Sequence, residues 1–420
     1  MHDSKLRSRL KAQLTKYVQQ LTAGLSRPHQ KFVGQMLFGI QAAQDVKLSN
    51  IARSLSEAIP LIKTEDRLSR NLKAAELEGA LTTQLAGMGA ARVEANTVLC
   101  LDLSDIRKPY AEKMEHLAPV HDGSTGEVGR GYWLCDVVAA ETDGARIVPL
   151  YQSLYSAEAA EFTSENDEIL GAIEQVRRYT QGRGIWAMDR GGDRKKLLEP
   201  LLDKGERFVI RATGKRLVTT GRHRVESLAA LACRCALPHS AHILKIHAGR
   251  ESRLTIRFGV AALRLPGRAE RLHLVVVAGF GKTPLLLLTN VLGRAPHSQN
   301  LWWIVQIYLT RWKIEETFRF VKQSYNLEDI RVLTYQRLKN LVLLVAAAAY
   351  FAATFLGHKI KLRLLCQQLL IISRRFFGVP PFQFYALADA IRRLLSRSTP
   401  NPLPTPLASP QLELAFPAPP

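Results

Sequence analysis

The 420-residue sequence predicts an α/β protein in which a mixed core is interrupted by a mostly β insertion and flanked by helical N-terminal and C-terminal regions. Three observations predict it. Apolar residues recur at three-to-four spacing over residues 1–92. Short apolar runs, two of them ending in Asp, then alternate with a helical stretch between 96 and 211. Finally, a strongly basic block, 204–272, reads in alternating apolar and polar residues.

In the first region Phe32, Met36, Leu37 and Ile40 mark a helical apolar face. Leu48–Leu55 and Thr64–Lys73 can form a helix-turn-helix pair with Pro60 breaking the periodicity between them, or they belong to a plain helical bundle with a basic face. From Asn96 the texture changes. Asn96–Asp102, Gly131–Ala139 and Ala145–Tyr151 read as strands. Thr163–Gln181 reads as a helix opened by a capping box of Ser164 and Asp167, and Gly184–Asp189 as a further strand. Asp102 and Asp189 therefore close the first and fourth strands of the set, and Arg207–Arg211 adds a fifth.

Residues 204–272 carry 15 Lys and Arg against four acids, about half of the whole chain's excess. Ser252–Phe258 and Leu272–Ala278 read as strands, so the block is a β-rich surface suited to a polyanion. Helices return at 300–325 and over 336–398, including Lys359–Phe377. The 17 residues Leu341–Gly357 lack a charge but fall short of a bilayer span, and read as a buried helix. The tail from Pro400 is too rich in proline to pack and is expected to be disordered.

Fifty-eight Lys and Arg against 37 Asp and Glu give a net charge of +21, with 47% hydrophobic and 23% charged residues. The composition excludes a disordered chain, and its charge makes nucleic acid the leading partner, ahead of an anionic membrane surface. Five scattered cysteines imply no disulfide framework, and the N-terminus lacks a secretory pattern, so a reducing cytoplasm is expected. Cys233, Cys235, His239, His242 and His247 have irregular spacing for a zinc site and read as core or phosphate-facing residues.

Acids at the ends of neighbouring strands, joined by a third from a helix, are the set that holds paired divalent cations for phosphodiester chemistry. Asp residues after strands also cap turns, so the pair alone decides little. Tyr308, Arg311, Glu315 and Lys322 share one stripe of a helix, either a solvated salt-bridged face or a carboxylate flanked by phosphate-gripping cations.

That stretch, Tyr308-Leu-Thr-Arg-Trp-Lys-Ile-Glu315-Glu-Thr-Phe-Arg-Phe-Val-Lys322, matches the Y-(2)-R-(3)-E-(6)-K signature of DDE-class insertion-sequence transposases. With Asp189 in Asp-Arg-Gly-Gly-Asp and Asp102 in Asp-Leu-Ser-Asp-Ile, the chain resembles the bacterial family usually called IS-four. The resemblance implies an RNase H-like core of the retroviral-integrase superfamily. It assigns Asp102, Asp189 and Glu315 as catalytic ligands of two Mg²⁺ ions, with Mn²⁺ as a substitute. Tyr308, Arg311 and Lys322 would position the DNA backbone, and Arg190 would touch phosphate. It further implies cut-and-paste transposition at terminal inverted repeats through a hairpin, on double-stranded element ends and target DNA. The acting form would be a synaptic homodimer in the cytoplasm, at the nucleoid, with no membrane partner. A decayed transposase that only binds DNA, or an RNase H-fold nuclease without strand transfer, are the competing functions.

Asp105 stays open as the first ligand, although Asp102 directly ends the apolar run. Glu316 lacks the signature spacing, and Asp193 lies four residues beyond its strand. Family members that stack a flipped base on a Trp of the insertion have no counterpart in 213–300, which holds only Phe258 and Phe280 as Phe, Tyr or Trp residues. The expected organisation is a helical DNA-binding region at 1–94, core at 95–212, basic β insertion at 213–291 and core with the Glu helix at 292–335. A helical region at 336–398 and the tail at 399–420 follow.

Overall fold

The computed structural model describes residues 2–121, 126–144, 146–221, 224–247, 250–294, 296–366, 384–396 and 398–403. Helices α1 (His2–Leu21), α2 (Arg27–Ala43), α3 (Leu48–Leu55), α4 (Leu61–Asn71) and α5 (Glu76–Ala90) come first. Pro60 stands at the N-cap of α4, where its missing N–H costs nothing, so the helix begins at Leu61 and not Thr64, and α3 packs on α4, as either a helix-turn-helix or a bundle would have it. Arg67 is turned inward to Glu57 at 2.8 Å, so the basic face of α4 is narrower than its sequence implies.

Strands β1 (Val98–Arg107), β2 (Ala118–His121), β3 (Val128–Ala140) and β4 (Ile147–Tyr155) lead to α6 (Glu165–Thr180), β5 (Ile185–Met188), α7 (Lys195–Asp203) and β6 (Phe208–Arg211). Ser164 caps α6 by accepting from the Asp167 N–H, and Gln181 ends it in the left-handed conformation. β2 is an addition to the expected order. It holds only four residues, one of them Pro119, which confines it to a sheet edge and leaves little periodicity to read. With β2 counted, Asp189 follows the fifth strand in chain order rather than the fourth.

The basic block forms the hairpin β7 (Leu217–Thr220) and β8 (Arg224–Ser227), then α8 (Leu228–Arg234), β9 (His239–His247), β10 (Arg250–Leu263), β11 (Leu272–Ala278) and β12 (Leu285–Thr289). One ten-stranded mixed sheet runs β2–β3–β1–β5–β6–β12–β11–β10–β9, with β4 also on β3. β1, β5 and β6 are parallel, and β12 joins antiparallel to β6 with Leu287 opposite Arg211. The strands that carry the candidate acids and β9–β12 are thus one continuous sheet, while β7 and β8 pair as a separate two-stranded one.

α9 (Ser298–Thr310), α10 (Trp312–Ser324), α11 (Tyr335–Tyr350), α12 (His358–Cys366) and α13 (Phe384–Leu395) complete the described chain. The apolar run expected to be buried is so. α11 and the π-helical turn after it, Tyr335–Phe355, are apolar and long enough to cross a membrane, yet 89% of that window lies inside the protein. Tyr17 and Gln41 donate to the Ala347 and Ala348 carbonyls of α11, while buried Asn340 donates to Leu72 and Ala74. These bonds pin the N-terminal helices to the core. The helix expected over Lys359–Phe377 lies within the described residues only as far as Cys366, and the tail beyond Leu403 lies outside them.

Candidate active site

β1 pairs with β3 along its whole length, from Val98 opposite Ala140 to Arg107 opposite Gly131, so Asp102 stands in mid-strand rather than at a strand end. The apolar run stops at Asp102 because the strand leaves full burial there, Asp102–Asp105 being half-buried, while the backbone ladder continues. On the other side Cys100 lies opposite Ala187 of the parallel β5, and two further residues bring Asp102 and Asp189 level. The Asp189 Oδ1 accepts from the Gly191 N–H at 2.7 Å, capping a single 3₁₀ turn, Arg190–Gly192. A Cβ on Gly191 would stand 2.9 Å from that oxygen, so the side chain's orientation depends on glycine there. Arg190 is exposed beside it.

Glu315 comes from α10, and here the helix stripe read from the sequence needs correction. Tyr308 closes α9 and Glu315 opens α10, with a tightened turn at Arg311, whose N–H donates to Tyr308 and whose carbonyl accepts from Ile314. Bonds three residues apart replace four-residue ones, and the apolar periodicity passes through such a turn almost unchanged. Arg311, only 6% exposed in its side chain, donates to Asp102 Oδ2 and to Glu315 Oε1 at 2.7 Å each. Its guanidinium also lies 5.7 Å from the ring centroid of Tyr308, which is buried beneath it. Lys322 is held by Asp105 at 3.4 Å and Glu328 at 3.3 Å.

Burial pushes the Asp102 carboxyl up to about 7. Arg311 opposes the shift, and the charges of Asp189 and Glu315 add to it. Asp102 therefore senses carboxylates from two other elements. The alternatives differ in setting. Asp193 is fully enclosed and engaged by Arg216, the Thr213 hydroxyl and the Thr213 N–H, which is a structural role. Glu316 is buried, with Arg319 at 3.7 Å. Asp105 pairs with Lys322 away from this group.

The Transposase DDE domain matches residues 96–351, more than half of the chain and a span that includes every acid of this group. The chain belongs to the DDE transposase family. No curated protein matches the sequence. Among solved structures, the chain is similar to the piggyBac transposase in a synaptic complex with hairpin DNA, seen by electron cryo-microscopy. Identity is 9%, with 92% of this chain and 77% of that chain covered, at a TM-score of 0.46.

This transposase carries a fourth acid in the neighbourhood that sequence reading passed over. Asp136 of β3 lies directly opposite Asp102, with Gln152 of β4 opposite it in turn, so the three form one row across the sheet. The signal was a lone acid inside the apolar run Gly131–Ala139. Burial pushes Asp136 from 3.8 up to about 8, and its Oδ1 has no hydrogen-bond partner among the described residues. The folded protein binds this proton more tightly than the unfolded chain does. Its stabilising contribution is therefore complete below about pH 4 and lost as pH rises through about 8. Asp136→Asn is expected to reduce, though not abolish, the fall in melting temperature between about pH 5 and pH 9, since Asp102 titrates in the same window. Equal pH slopes in the two proteins would sink this assignment.

Among the described residues no three His, Cys, Asp or Glu side chains stand close enough to share one metal ion as placed. The carboxylate chemistry of Asp102, Asp189 and Glu315 suits a hard divalent cation, and Asp102 and Glu315 share the positive charge of Arg311.

Proposed function

We propose that this transposase excises its element at terminal inverted repeats and joins it to target DNA by cut-and-paste, as a synaptic homodimer in the cytoplasm, at the nucleoid. The bridging of Asp102 and Glu315 by one guanidinium, with Asp189 level with Asp102 beyond the paired ends of β1 and β5, carries the reading. The sheet order β4–β3–β1–β5–β6, antiparallel on one side of β1 and parallel on the other, supports an RNase H-like core.

Asp102, Asp189 and Glu315 would hold Mg²⁺ or Mn²⁺. When bound, such ions lower the proton affinity of the attacking hydroxyl and stabilise charge on the leaving 3′-oxygen. The chain's own contribution is placement. Tyr308 supports the Arg311 fork from below, Arg190 offers an exposed cation next to Asp189, and Lys322 stands farther along α10. Arg253 and Arg257 of the basic block lie on β10 of the same sheet, and cations there extend the surface available to the DNA backbone.

The test is a plasmid carrying the gene with its native flanks, incubated with purified protein with and without Mg²⁺. Breaks at the element's boundaries followed by joining to target DNA are expected in Mg²⁺ alone. Binding of the ends without cleavage would instead identify a DNA-binding descendant. Cleavage without end preference or joining would identify a nuclease on the same fold.

A further inference from the structure

Arg311 does more in this arrangement than flank an acid. Both oxygens of Asp102 are engaged, Oδ1 by the Leu103 N–H at 3.0 Å and Oδ2 by Arg311 at 2.7 Å, and the same guanidinium takes Oε1 of Glu315. While the guanidinium stays, it occupies one lone pair of Asp102 Oδ2 and one of Glu315 Oε1, and its positive charge opposes a divalent ion bound by those two oxygens. We propose that Arg311 is an exchangeable counter-cation that closes the carboxylate group to divalent ions until a DNA phosphate draws the guanidinium away. The inference rests on Asp102, Asp189 and Glu315 being the metal ligands.

Three observations support the exchange. Arg311 Nε has no hydrogen-bond partner among the described residues, so the side chain is held chiefly by the two carboxylates. It sits at the tightened turn between α9 and α10, a junction between two helices and not the middle of one. Its planar fork fits a phosphodiester as well as it fits carboxylates, so a backbone phosphate next to the acids competes for it directly. Lys322 does not match this role, because its partners are Asp105 and Glu328. The consequence is positive coupling, in which DNA raises the affinity for metal and metal raises the affinity for DNA by the same factor. A protein free of DNA then holds no loaded site with which to nick at random.

Mn²⁺ binding to the full-length protein, followed by electron paramagnetic resonance of the free ion, tests this without reference to cleavage. In the absence of DNA, Arg311→Gln is expected to bind Mn²⁺ about 10-fold tighter than wild type, within the usual range of such couplings. Adding a short duplex of the element end should raise the wild-type affinity and leave that of Arg311→Gln unchanged. Arg311→Lys, which keeps the charge and loses the fork, should fall between them. The melting temperature of Arg311→Gln should also gain more from Mn²⁺ than that of wild type. Equal Mn²⁺ affinities without DNA, or an equal effect of DNA on both proteins, would overturn the exchange while leaving the metal ligands standing. No Mn²⁺ binding by either protein with or without DNA, or binding unaffected by Asp189→Asn, would overturn the ligand assignment and the exchange with it.

Discussion

Glu315→Gln is expected to lower Mg²⁺-dependent cleavage at element ends by about 10³-fold or more, since a bound metal supplies several kcal/mol of charge stabilisation at 1.36 kcal/mol per decade. The substitution is close to isosteric, and its amide oxygen still accepts from Arg311, so the helix junction should survive. What disappears is the negative charge. Asp102→Asn and Asp189→Asn should each cost a similar amount, and pairs of these changes little more than one alone, because ligands of one site act as a unit. Two neighbouring acids separate site from scaffold. Glu316→Gln, buried on another face of α10, should leave the chemistry near wild type. Asp193→Asn should act through stability, since it weakens the bond with Arg216 and those with Thr213. Cleavage by Glu315→Gln within a few-fold of wild type would remove that residue from the ligand set.

How far this arrangement could be read in advance depended on whether the signal was local. The α6 helix was legible because its cap residues and its periodicity are contiguous, and the α3–α4 pair because Pro60 marks the break. The edge strand β2 offered four residues and a proline, too few to show alternation. The turn at Arg311 was hidden because a single tightened turn barely rotates the side chains around it, so four signature residues still look like one stripe. Pairing across the sheet is not local at all. That β12 adds to β6 follows from partners some 75 residues apart, such as Leu287 and Arg211. The same holds for Asp136, whose place beside Asp102 is set by the register of β1 on β3. Arg311 was legible as a member of a motif, but its grip on two acids 213 residues apart, Asp102 and Glu315, required the fold.

That register is also where a large stability effect is expected. Gly131 of β3 lies between Arg107 of β1 and Ala118 of β2, and a Cβ there would stand 2.1 Å from the Ile106 carbonyl oxygen. The obstacle is backbone, not the far end of a flexible side chain, so a methyl group can be admitted only by parting the two strands. Gly131→Ala is therefore expected to cost about 3 kcal/mol or more, at the upper end of overpacking penalties, read as a lower melting temperature. Because Asp102 and Asp136 are aligned by this same pairing, cleavage should fall in the molecules that do fold. Gly171→Ala serves as the opposite case. It lies exposed within α6 with nothing within 4 Å of its would-be Cβ, so losing its backbone freedom should stabilise by about 0.5–1 kcal/mol. The same chemical change then carries opposite signs at two sites, and the difference is the closeness of β1 to β3. If Gly131→Ala melts at the wild-type temperature, the strands do not approach as described, and the alignment of Asp136 with Asp102 fails with them.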